Sequence, residues 1–450
     1  MNYEVKLEKL AGKGKALAWH HGKVVFVPFG VPGDEIEIET TKETKSYDEA
    51  IIKRMITQSP YRVEPPCAYF TSCGGCDHQN IEYSRLLTFK KELLAEVYRN
   101  FIKNGLTLEE IHPSPLPYGY RNKIHLHGYQ NKIFQVWGFY HYENKKIVNI
   151  ESCPIAHDLV NKAFQLVLNF LKQRFFQFFL MVNEIIIQVD AENTAAMVTL
   201  ISSKVLDPPK SLYEKMKTIL PELSSLYLYH RKNKKGYLFK TAVDDSLENL
   251  KDLKLLGGNL LPIEFANLKL NISPLSFFQV NKAVSETIVK HLENELTRLS
   301  TKPVLVDLFS GVGALSLPLA EHCEMIHGVE LVRHAAELAE ANARNNSIPN
   351  FTIHQGDAFE AFNRLLQIIN SQAKVLLIDP PRQGLDRELS IRIGAGDFQK
   401  VLYLSCHPHA QVRDLEIIMA RGKFRITKIQ AFDMFPQTHH TEVLVVLERV

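Results

Sequence analysis

Two apolar stretches near the carboxyl terminus of the chain end in residues that could do chemistry. One stretch, KVLLID, ends at Asp379 and is stopped by two prolines, and the other, KVLYLSC, ends at Cys406. Neither stretch alternates between polar and apolar residues, which is typical of parallel strands buried on both faces. Ligands of open α/β sheets bind outside the carboxyl ends of the strands, so we expect Asp379 and Cys406 to share one crevice. A purely structural buried cysteine is the alternative for Cys406.

A thiol close to a carboxylate suits methylation of a pyrimidine at carbon 5, which is a poor nucleophile. Addition of a thiolate to carbon 6 creates an enolate-like electron pair at carbon 5. After methyl transfer, a base must remove the carbon 5 proton so that the thiol is eliminated. Cys406 supplies the thiol, and Glu442, in the sequence THHTE, supplies the carboxylate. An exposed strand-edge acid is the structural alternative for Glu442, and the D-P-P motif after KVLLI also suits methylation of an exocyclic amine.

Strand and helix patterns alternate over residues 266–450, which predicts a doubly wound, Rossmann-like domain. The strand KPVLVDLFS runs into Gly311 and Gly313 and then into a predicted helix, whose free amides suit a bound ligand. The dinucleotide fingerprint requires a third glycine where this chain has Ser316, which disfavours a nicotinamide cofactor. Two further strands, KFRITKIQAFDMF and TEVLVVLERV, are expected to close the domain.

Acidic residues recur at the ends of successive predicted strands in this domain. Glu330 ends the second strand and suits the two hydroxyls of a ribose, and Asp357 ends the third and suits an adenine amino group. Each acid alone is a weak signal. The ordered series of Asp307 with the glycines, Glu330, Asp357 and Asp379 is typical of an S-adenosylmethionine-dependent methyltransferase.

Three of the six cysteines cluster in the segment PPCAYFTSCGGCDHQN. Cys67, Cys73 and Cys76 have the close spacing of thiolate metal ligands, and Cys153, in ESCP, is a candidate fourth ligand. Zinc and an iron–sulfur cluster both accept four thiolates, and the spacing does not separate them. We expect a metal that holds a loop-rich region together without taking part in the chemistry. The site lies in a predicted central α+β domain, residues 61–265.

The remaining segments give weaker indications of partners. Residues 1–60 predict a five-stranded, oligonucleotide-binding type of barrel, although nine basic and nine acidic residues leave this segment without net charge. Residues 118–150 mix cations with aromatic residues, as single-stranded RNA binding requires and as the core face of a sheet would also show. An amphipathic helix over residues 83–104 could pack on the catalytic domain. The basic run at 231–235 is a weak candidate for phosphate contact.

The size and composition of the chain limit its class. It has 450 residues, of which 45% are hydrophobic and 23% charged, with a formal net charge of +3. These values predict a globular protein of two or three domains whose mild basicity permits nucleic-acid binding without requiring it. No signal peptide is recognisable, and the apolar run FFQFFLMV is too short to span a bilayer. We expect a monomeric cytoplasmic protein with reduced thiols and no membrane association.

Taken together, these motifs resemble those of the RNA uracil-5-methyltransferases that carry a TRAM barrel and an iron–sulfur domain, such as the 23S ribosomal RNA enzymes. The phrase FVPFGVPGDEIEI is similar to the TRAM domain, which binds RNA. PPCxxxxxCGGC and ESCP are similar to the family's cluster ligands, LSCHP to its nucleophile motif, and MFPQTHHTE to its base motif. The similarity covers nearly the whole chain.

The resemblance implies a role for each matching residue. A cluster of four iron atoms would be bound by four cysteines, namely Cys67, Cys73, Cys76 and Cys153. S-adenosylmethionine would be contacted by residues of the motifs SFFQVN, DLFSGVG, GVE, GDAF and DPPR, namely Gln279, Phe309, Gly311, Gly313, Glu330, Asp357 and Asp379. Cys406 would be the nucleophile and Glu442 the base, acting on a uridine extruded from its stack into the pocket.

Three positions depart from the family's pattern. His407 replaces the usual asparagine, His409 stands where a small residue is common, and Ala314 stands where some relatives carry a polar residue. These departures affect the substrate loop rather than the nucleophile or the cofactor strands. The alternatives are a transfer RNA uracil-5-methyltransferase, a non-catalytic RNA-binding ribosome-assembly protein, and a cytosine-5-methyltransferase. Cytosine enzymes place the thiol in a Pro-Cys or Thr-Cys setting, unlike the Ser-Cys-His-Pro sequence of this chain.

Overall fold

A computed structural model describes residues 2–103, 105–130, 135–190, 192–231, 252–369 and 373–450. Three large sheets and one hairpin, arranged in chain order, make up its β-structure. In the described part of the chain, no helix is both long enough and apolar enough to cross a membrane. Residues 232–235 of the predicted basic run lie outside the described residues.

The first sheet is formed by the N-terminal strands, six rather than the predicted five. Its strands are β1 Asn2–Lys6, β2 Lys9–Ala11, β3 Lys15–His20, β4 Lys23–Pro28, β5 Glu35–Glu43 and β6 Tyr47–Thr57, in the order β1-β5-β6-β4-β3-β2. The first alternating run is divided because the N–H of Leu7 donates to the carbonyl of Asp34 and that of Glu8 to the carbonyl of Leu17, each at 2.8 Å. Alternate residues such as Ile36 and Ile38 form an apolar interior, which fits a barrel-like domain.

The predicted helix over 83–104 is two helices, α1 Tyr83–Val97 and α2 Arg99–Ile102. They meet at Tyr98, a fully buried residue whose hydroxyl donates to the side chain of Gln411. Leu94 and Tyr98 lie in the same apolar core as residues of the C-terminal sheet. These two helices therefore pack against the C-terminal sheet, far from their position in the sequence.

The second sheet has helices on one face. Its strands are β7 Lys123–Gln130, β8 Gln135–Tyr140, β9 Ile147–Asn149, β10 Glu184–Val189, β11 Ala196–Ser202, β12 Leu223–His230 and β13 Leu253–Gly258, in the order β13-β12-β11-β10-β7-β8-β9. The helices are α3 Asp158–Arg174, α4 Phe176–Phe179 and α5 Leu212–Ile219. Of the aromatic residues in 118–150, Tyr120 and Trp137 are buried, whereas Tyr129 and Tyr140 are 61% and 42% exposed. The aromatic residues of this segment are thus divided between the core and the surface, and RNA binding by the exposed ones stays a prediction.

A hairpin, β14 Leu261–Phe265 and β15 Leu268–Ile272, precedes the third sheet. Residue 266, the predicted start of the C-terminal domain, lies in its turn, where Ala266 and Asn267 have φ of 47° and 66°. The apolar residues of both strands pack into the core of the third sheet. A domain boundary placed before Leu261, rather than at residue 266, keeps the hairpin in the same domain as the sheet on which it packs.

The third sheet contains all seven strands predicted from the sequence. They are β16 Val304–Leu308, β17 Met325–Glu330, β18 Phe351–Gln355, β19 Lys374–Ile378, β20 Lys400–Ser405, β21 Phe424–Phe432 and β22 Glu442–Arg449, in the order β18-β17-β16-β19-β20-β22-β21. Its helices are α6 Lys282–Thr297, α7 Arg333–Asn345, α8 Ala358–Ile368, α9 Arg387–Ala395 and α10 Pro408–Met419. Strands β16 to β20 are parallel, and apolar cores cover both faces. The strand order reverses between β16 and β19, which locates the expected ligand crevice.

The α-helix predicted to follow Gly313 is wrong. The structure has turns there, followed by a 3₁₀ helix, Leu317–His322. Gly311 and Gly313 have φ of 57° and 82°, so the chain enters this segment in the left-handed region rather than in helical geometry. Pro318, early in the segment, has no N–H to donate to a preceding carbonyl. The loop after β16 therefore offers amides from a turn and not from an α-helix.

Candidate active site

The register of two antiparallel strands brings the predicted nucleophile and base together. Ser405, the last residue of β20, pairs with Val443 of β22. Cys406 directly follows β20 and Glu442 is the first residue of β22, so both residues adjoin this pair. Burial raises the pKa of the Cys406 thiol to about 12, and the neighbouring Glu442 carboxylate raises it further. Two residues 36 positions apart are thus neighbours because of strand pairing, and not because of a loop.

Glu442 is held in a protein interior. It is 1% exposed, and its Oε1 has no hydrogen-bond partner among the described residues. Burial raises the pKa of Glu442 well above its ordinary value, and the charge of Asp379 adds to this effect. A buried carboxylate oxygen without a donor is costly to keep. The geometry suits a base that accepts a proton from a bound substrate.

Arg382 is a third member of this group, which sequence reasoning gave no role. It follows the two prolines after β19, and its cation lowers the pKa of both Cys406 and Glu442. One of its terminal nitrogens lies 3.5 Å from Nε2 of His440. The sequence feature that could have pointed to Arg382 is its position in the D-P-P-R motif, directly after the two prolines. Arg382 favours the ionised forms of the predicted nucleophile and the predicted base, which burial opposes.

Two carboxyl groups lie buried at the point where the strand order reverses. Burial raises the pKa of Asp307 to about 6 and that of Asp379 to about 7, and the Asp307 charge contributes to the second shift. Oδ2 of Asp307 has no hydrogen-bond partner in the described part of the chain. Nε2 of Gln279 is 3.5 Å from Oδ2 of Asp379, the outer limit of a hydrogen bond. These groups suit a ligand that carries positive charge.

The glycine loop is fixed by Glu330. The N–H of Gly311 donates to Oε2 of Glu330 at 2.9 Å, and the N–H of Val332 donates to Oε1 at 2.7 Å. A Cβ at Gly313 would lie 2.7 Å from a Leu317 methyl carbon, and Phe309 itself has φ of 67°. The loop therefore needs its glycines, and Glu330 both shapes the loop and ends the second strand.

Asp357 has a structural role in addition to its predicted one. Its Oδ1 accepts hydrogen bonds from the N–H groups of Phe359 and Glu360, at 2.9 and 3.2 Å, so it caps the N-terminus of α8. Its side chain is exposed at the carboxyl end of β18. An N-cap of this kind is common at any helix start.

Residues 433–442, which we call the base loop, are anchored by a buried network. Nζ of Lys90, on α1, lies 2.6 Å from Oδ1 of Asp433 and donates to the carbonyl of His440 at 3.0 Å. The hydroxyl of Tyr83 donates to Oδ2 of Asp433 at 2.9 Å. Lys90 and Asp433 are 2% and 0% exposed. Sequence reasoning missed this network because its members are about 340 positions apart.

Residues 67–78, which we call the cysteine loop, lie near Cys153. The Glu151 N–H donates to the Tyr69 hydroxyl at 3.0 Å, which ties the two segments together. Burial raises the pKa of the Cys73 thiol to about 11, and the nearby Cys153 and Cys67 thiols raise it further. Among the residues that the structure describes, no three of the four sulfur atoms lie within 4.8 Å of one another. A single tetrahedral zinc needs ligand sulfurs about 3.8 Å apart.

A second group of ligand-type side chains lies on the central sheet. Ligand atoms of His125, His127 and Glu184 lie within 4.8 Å of one another. Nε2 of His125 is 2.5 Å from Oε2 of Glu184, and Arg231 forms an ion pair with the same carboxylate. The charge of Glu184 is therefore already partnered. We assign this group to the surface of the sheet and not to the active site.

Comparison with known proteins identifies relatives along the whole chain. The sequence profile of the tRNA (Uracil-5-)-methyltransferase family matches residues 82–450. A 23S rRNA (uracil(1939)-C(5))-methyltransferase of Marinomonas sp. is 30% identical over 447 residues, which cover 99% of this chain and 94% of the relative. An uncharacterized RNA methyltransferase of Fusobacterium nucleatum is 27% identical over 458 residues, covering 99% and 95%.

The fold also matches a solved structure over its full length. The crystal structure of Pyrococcus abyssi tRNA (uracil-54, C5)-methyltransferase in complex with S-adenosyl-L-homocysteine aligns with a TM-score of 0.74. The alignment covers 99% of this chain and all of the other, at 23% sequence identity. At this identity the likeness concerns the fold, which is a mixed α/β methyltransferase architecture.

Proposed function

The chain belongs to the tRNA (uracil-5-)-methyltransferase family, and we propose that it methylates carbon 5 of a uridine in 23S ribosomal RNA through a covalent adduct with Cys406. The chain is an S-adenosylmethionine-dependent RNA (uracil-5-)-methyltransferase. The observation that carries the covalent mechanism is that Cys406 and Glu442 adjoin the last residue pair of β20 and β22, close enough for the Glu442 carboxylate to raise the pKa of the Cys406 thiol. Methylation of an exocyclic amine would need neither group.

The proposed reaction begins at the Cys406 sulfur. The thiol loses its proton, Sγ bonds to carbon 6, and the electron pair of the carbon 5–carbon 6 double bond moves onto the uracil carbonyl as an enolate. Arg382 favours the thiolate, because its cation lowers the pKa of Cys406. Carbon 5 then bonds to a methyl group, which S-adenosylmethionine would supply: the bond from that methyl group to the sulfonium sulfur would break and S-adenosyl-L-homocysteine would leave.

The second half of the reaction belongs to Glu442. Its carboxylate takes the proton from carbon 5, the double bond forms again, and the bond from carbon 6 to Sγ breaks. Burial and Asp379 raise the pKa of Glu442, so its ionised form binds a proton strongly. The Arg382 cation keeps ionisation accessible. Loss of this carboxylate would leave methylated RNA attached to Cys406.

S-adenosylmethionine fits the crevice at the strand switch. Its positive charge suits the buried carboxyl groups of Asp307 and Asp379, and Gln279 borders the latter. We assign the further contacts to residues of the glycine loop and the next two strand ends, namely Phe309, Gly311, Gly313, Glu330 and Asp357. Their location at the carboxyl ends of the strands supports this assignment.

A four-iron cluster fits the four cysteines better than zinc does. Thiolate ligands suit both, but the sulfurs of Cys67, Cys73, Cys76 and Cys153 are spread more widely than a single zinc ion would hold them. We propose that these residues bind a cluster that shapes the central domain, residues 61 to about 260. In the mechanism proposed above, the cluster takes part in no step.

Ribosomal RNA is proposed as the target because the 30% identical Marinomonas relative acts on 23S rRNA and aligns along the entire chain. Two exposed surfaces support RNA contact. The N-terminal barrel, proposed to be a TRAM domain, would bind RNA, and Tyr129 and Tyr140 offer exposed rings for stacking bases. The extruded uridine would enter the crevice between Cys406 and Glu442.

The target is tested by mapping 5-methyluridine in RNA from cells with and without the gene. The proposal expects one 5-methyluridine of 23S rRNA to disappear, and the purified protein to restore it with S-adenosylmethionine. Loss from transfer RNA alone would contradict the ribosomal target while leaving the chemistry intact. Unchanged 5-methyluridine in both RNAs would contradict an enzymatic role and favour a ribosome-assembly protein.

A further inference from the structure

The cysteine loop and the base loop are joined by four hydrogen bonds. The N–H groups of Asp77 and His78 both donate to the carbonyl of Gln437, at 2.9 and 3.0 Å. In return, the N–H of His439 donates to Oδ2 of Asp77 at 3.0 Å, and Nδ1 of His439 lies 2.7 Å from the same oxygen. The residue next to a predicted metal ligand, Cys76, is thus bonded to a segment that ends at the proposed catalytic base.

The base loop needs external support at this point. Gln437 is 1% exposed and has φ of 68°, a conformation that a non-glycine residue keeps only when its surroundings hold it there. Both donors on its carbonyl come from the cysteine loop. The backbone N–H of Asp77 therefore holds Gln437 in place, and the side chain of Asp77 holds His439.

The chain segment after His439 leads to the groups proposed to react. His439 is followed by His440, whose Nε2 lies 3.5 Å from a terminal nitrogen of Arg382 and whose carbonyl accepts from Lys90. Glu442 follows two positions later and is the first residue of β22. A shift of His439 would therefore be passed along the chain through His440 to Glu442.

We propose that Asp77 is a positioning residue for Glu442, which it holds in place through His439. This inference rests on the proposed function, since it concerns the step in which Glu442 removes the carbon 5 proton. A misplacement of about 1 Å in a catalytic group costs about 100-fold in rate. The effect falls on proton removal, after the methyl group has been transferred.

The test is the fate of the covalent adduct on uridine-containing RNA with S-adenosylmethionine. For Asp77→Ala we expect release of methylated RNA to slow about 10- to 100-fold, so that a denaturation-resistant, methylated adduct accumulates as it would in Glu442→Gln. Formation of the adduct should change little. Asp77→Asn keeps an oxygen for the two His439 donors and should restore most of the release rate.

Asp190→Ala is the matched control. Asp190 is likewise a carboxylate that accepts from backbone N–H groups, those of Thr194 and Ala195 at 2.8 and 3.0 Å, but it has no hydrogen bond to the base loop. This variant should release RNA at the wild-type rate. His439→Phe breaks the same link from the other side without a change beside Cys76, and should accumulate adduct even if Asp77→Ala fails to fold.

Two outcomes would overturn the inference. One is that folded Asp77→Ala or His439→Phe releases methylated RNA at the wild-type rate. The other is that adduct formation and release slow equally, which would indicate a general structural role. The proposed function fails separately, if neither the wild type with 5-fluorouridine RNA nor Glu442→Gln with uridine RNA forms an adduct.

Discussion

Asp307 and Asp379 are neighbouring buried carboxyl groups, and no cation forms an ion pair with either in the part of the chain that the structure describes. Burial raises the pKa of both, to about 6 and about 7. Binding of a positively charged ligand would favour their ionised forms and offset the cost of burying them. At this site, the residues that suit ligand binding also destabilise the unliganded protein.

The variant Asp379→Asn tests whether the Asp379 carboxyl group lowers the stability of the unliganded protein, because this effect depends on pH. An aspartate of the unfolded chain ionises near pH 4, whereas Asp379 keeps its proton to about pH 7 in the folded protein. Unfolding thus releases a proton between these values, and the free energy of unfolding falls as pH rises. The Tm of the variant minus that of the wild type should therefore rise from pH 4 to pH 7 and then level off.

The same variant should bind S-adenosylmethionine more weakly than the wild type, by calorimetry at pH 8. A gain in stability together with a loss of binding is expected only if the carboxylate interacts with a positively charged ligand. A Tm difference that does not change with pH would show that Asp379 is already ionised in the folded protein, and would contradict its assigned environment.

Single residues differ in how far the sequence reveals them. Cys406 and Glu442 could be proposed from the sequence because the chemistry at carbon 5 requires a thiol and a base, and because motifs surround both; their roles stay predictions. Arg382 and Lys90 were not, since any strand end or helix carries such cations. Asp357 was assigned only a ligand contact, and its capping of α8 depends on a turn geometry that residue type alone does not specify.

At the scale of elements, helix α1 docks on the C-terminal sheet through a buried ion pair. Lys90 and Asp433 are joined at 2.6 Å, and Asp433 also accepts from Tyr83. A buried charge left without its partner is costly, so this pair fixes where α1 and the base loop meet. The neighbouring Lys91 pairs with Glu110 at the surface.

Lys90→Met should lower the free energy of unfolding by about 3 kcal/mol or more, because Asp433 would remain buried without its cation. Lys91→Met is the control, since a surface pair contributes about 1 kcal/mol at most. Urea denaturation of both variants measures the difference. Equal, small losses would show that the Lys90 pair adds no more than a surface contact.

Elements that are apolar along their length were predicted best. The seven strands of the C-terminal sheet were recognisable because parallel strands buried on both faces form apolar runs. The break between β1 and β2 was missed because it depends on hydrogen bonds to Asp34 and Leu17, distant in sequence. The 3₁₀ segment after Gly313 was misassigned as a helix, although Pro318 marks it.

At the scale of the whole molecule, segments from distant parts of the chain surround the base loop. Helix α1 contributes Lys90, the cysteine loop contributes Asp77, and Tyr120 donates to the carbonyl of Pro436 at 3.1 Å. A Cβ on Gly14, in the barrel, would lie 2.5 Å from the Asp77 side chain. The sequence predicted the separate sheets, but not that they meet around the base loop, because no local pattern records contacts between domains.

The cluster assignment is tested by metal content. Anaerobically purified protein should be brown, with about four irons per chain. Cys153→Ser should lose the colour and much of the solubility, because metal binding in a loop-rich segment contributes folding free energy. The variant Cys406→Ala should keep its iron, since Cys406 is not one of the four proposed cluster ligands. A colourless anaerobic preparation with one zinc per chain would contradict the cluster and leave the methyltransferase assignment unaffected.

The central claim is that Cys406 bonds to carbon 6 of the target uridine. RNA that carries 5-fluorouridine at the target holds a fluorine where Glu442 would take a proton, so the adduct cannot be resolved. With S-adenosylmethionine, the wild type should form a denaturation-resistant protein–RNA complex, and mass spectrometry should locate the methylated nucleotide on the peptide that contains Cys406. Cys406→Ala should form no complex and methylate no uridine. Methylation by Cys406→Ala, or a crosslink at another residue, would contradict the account.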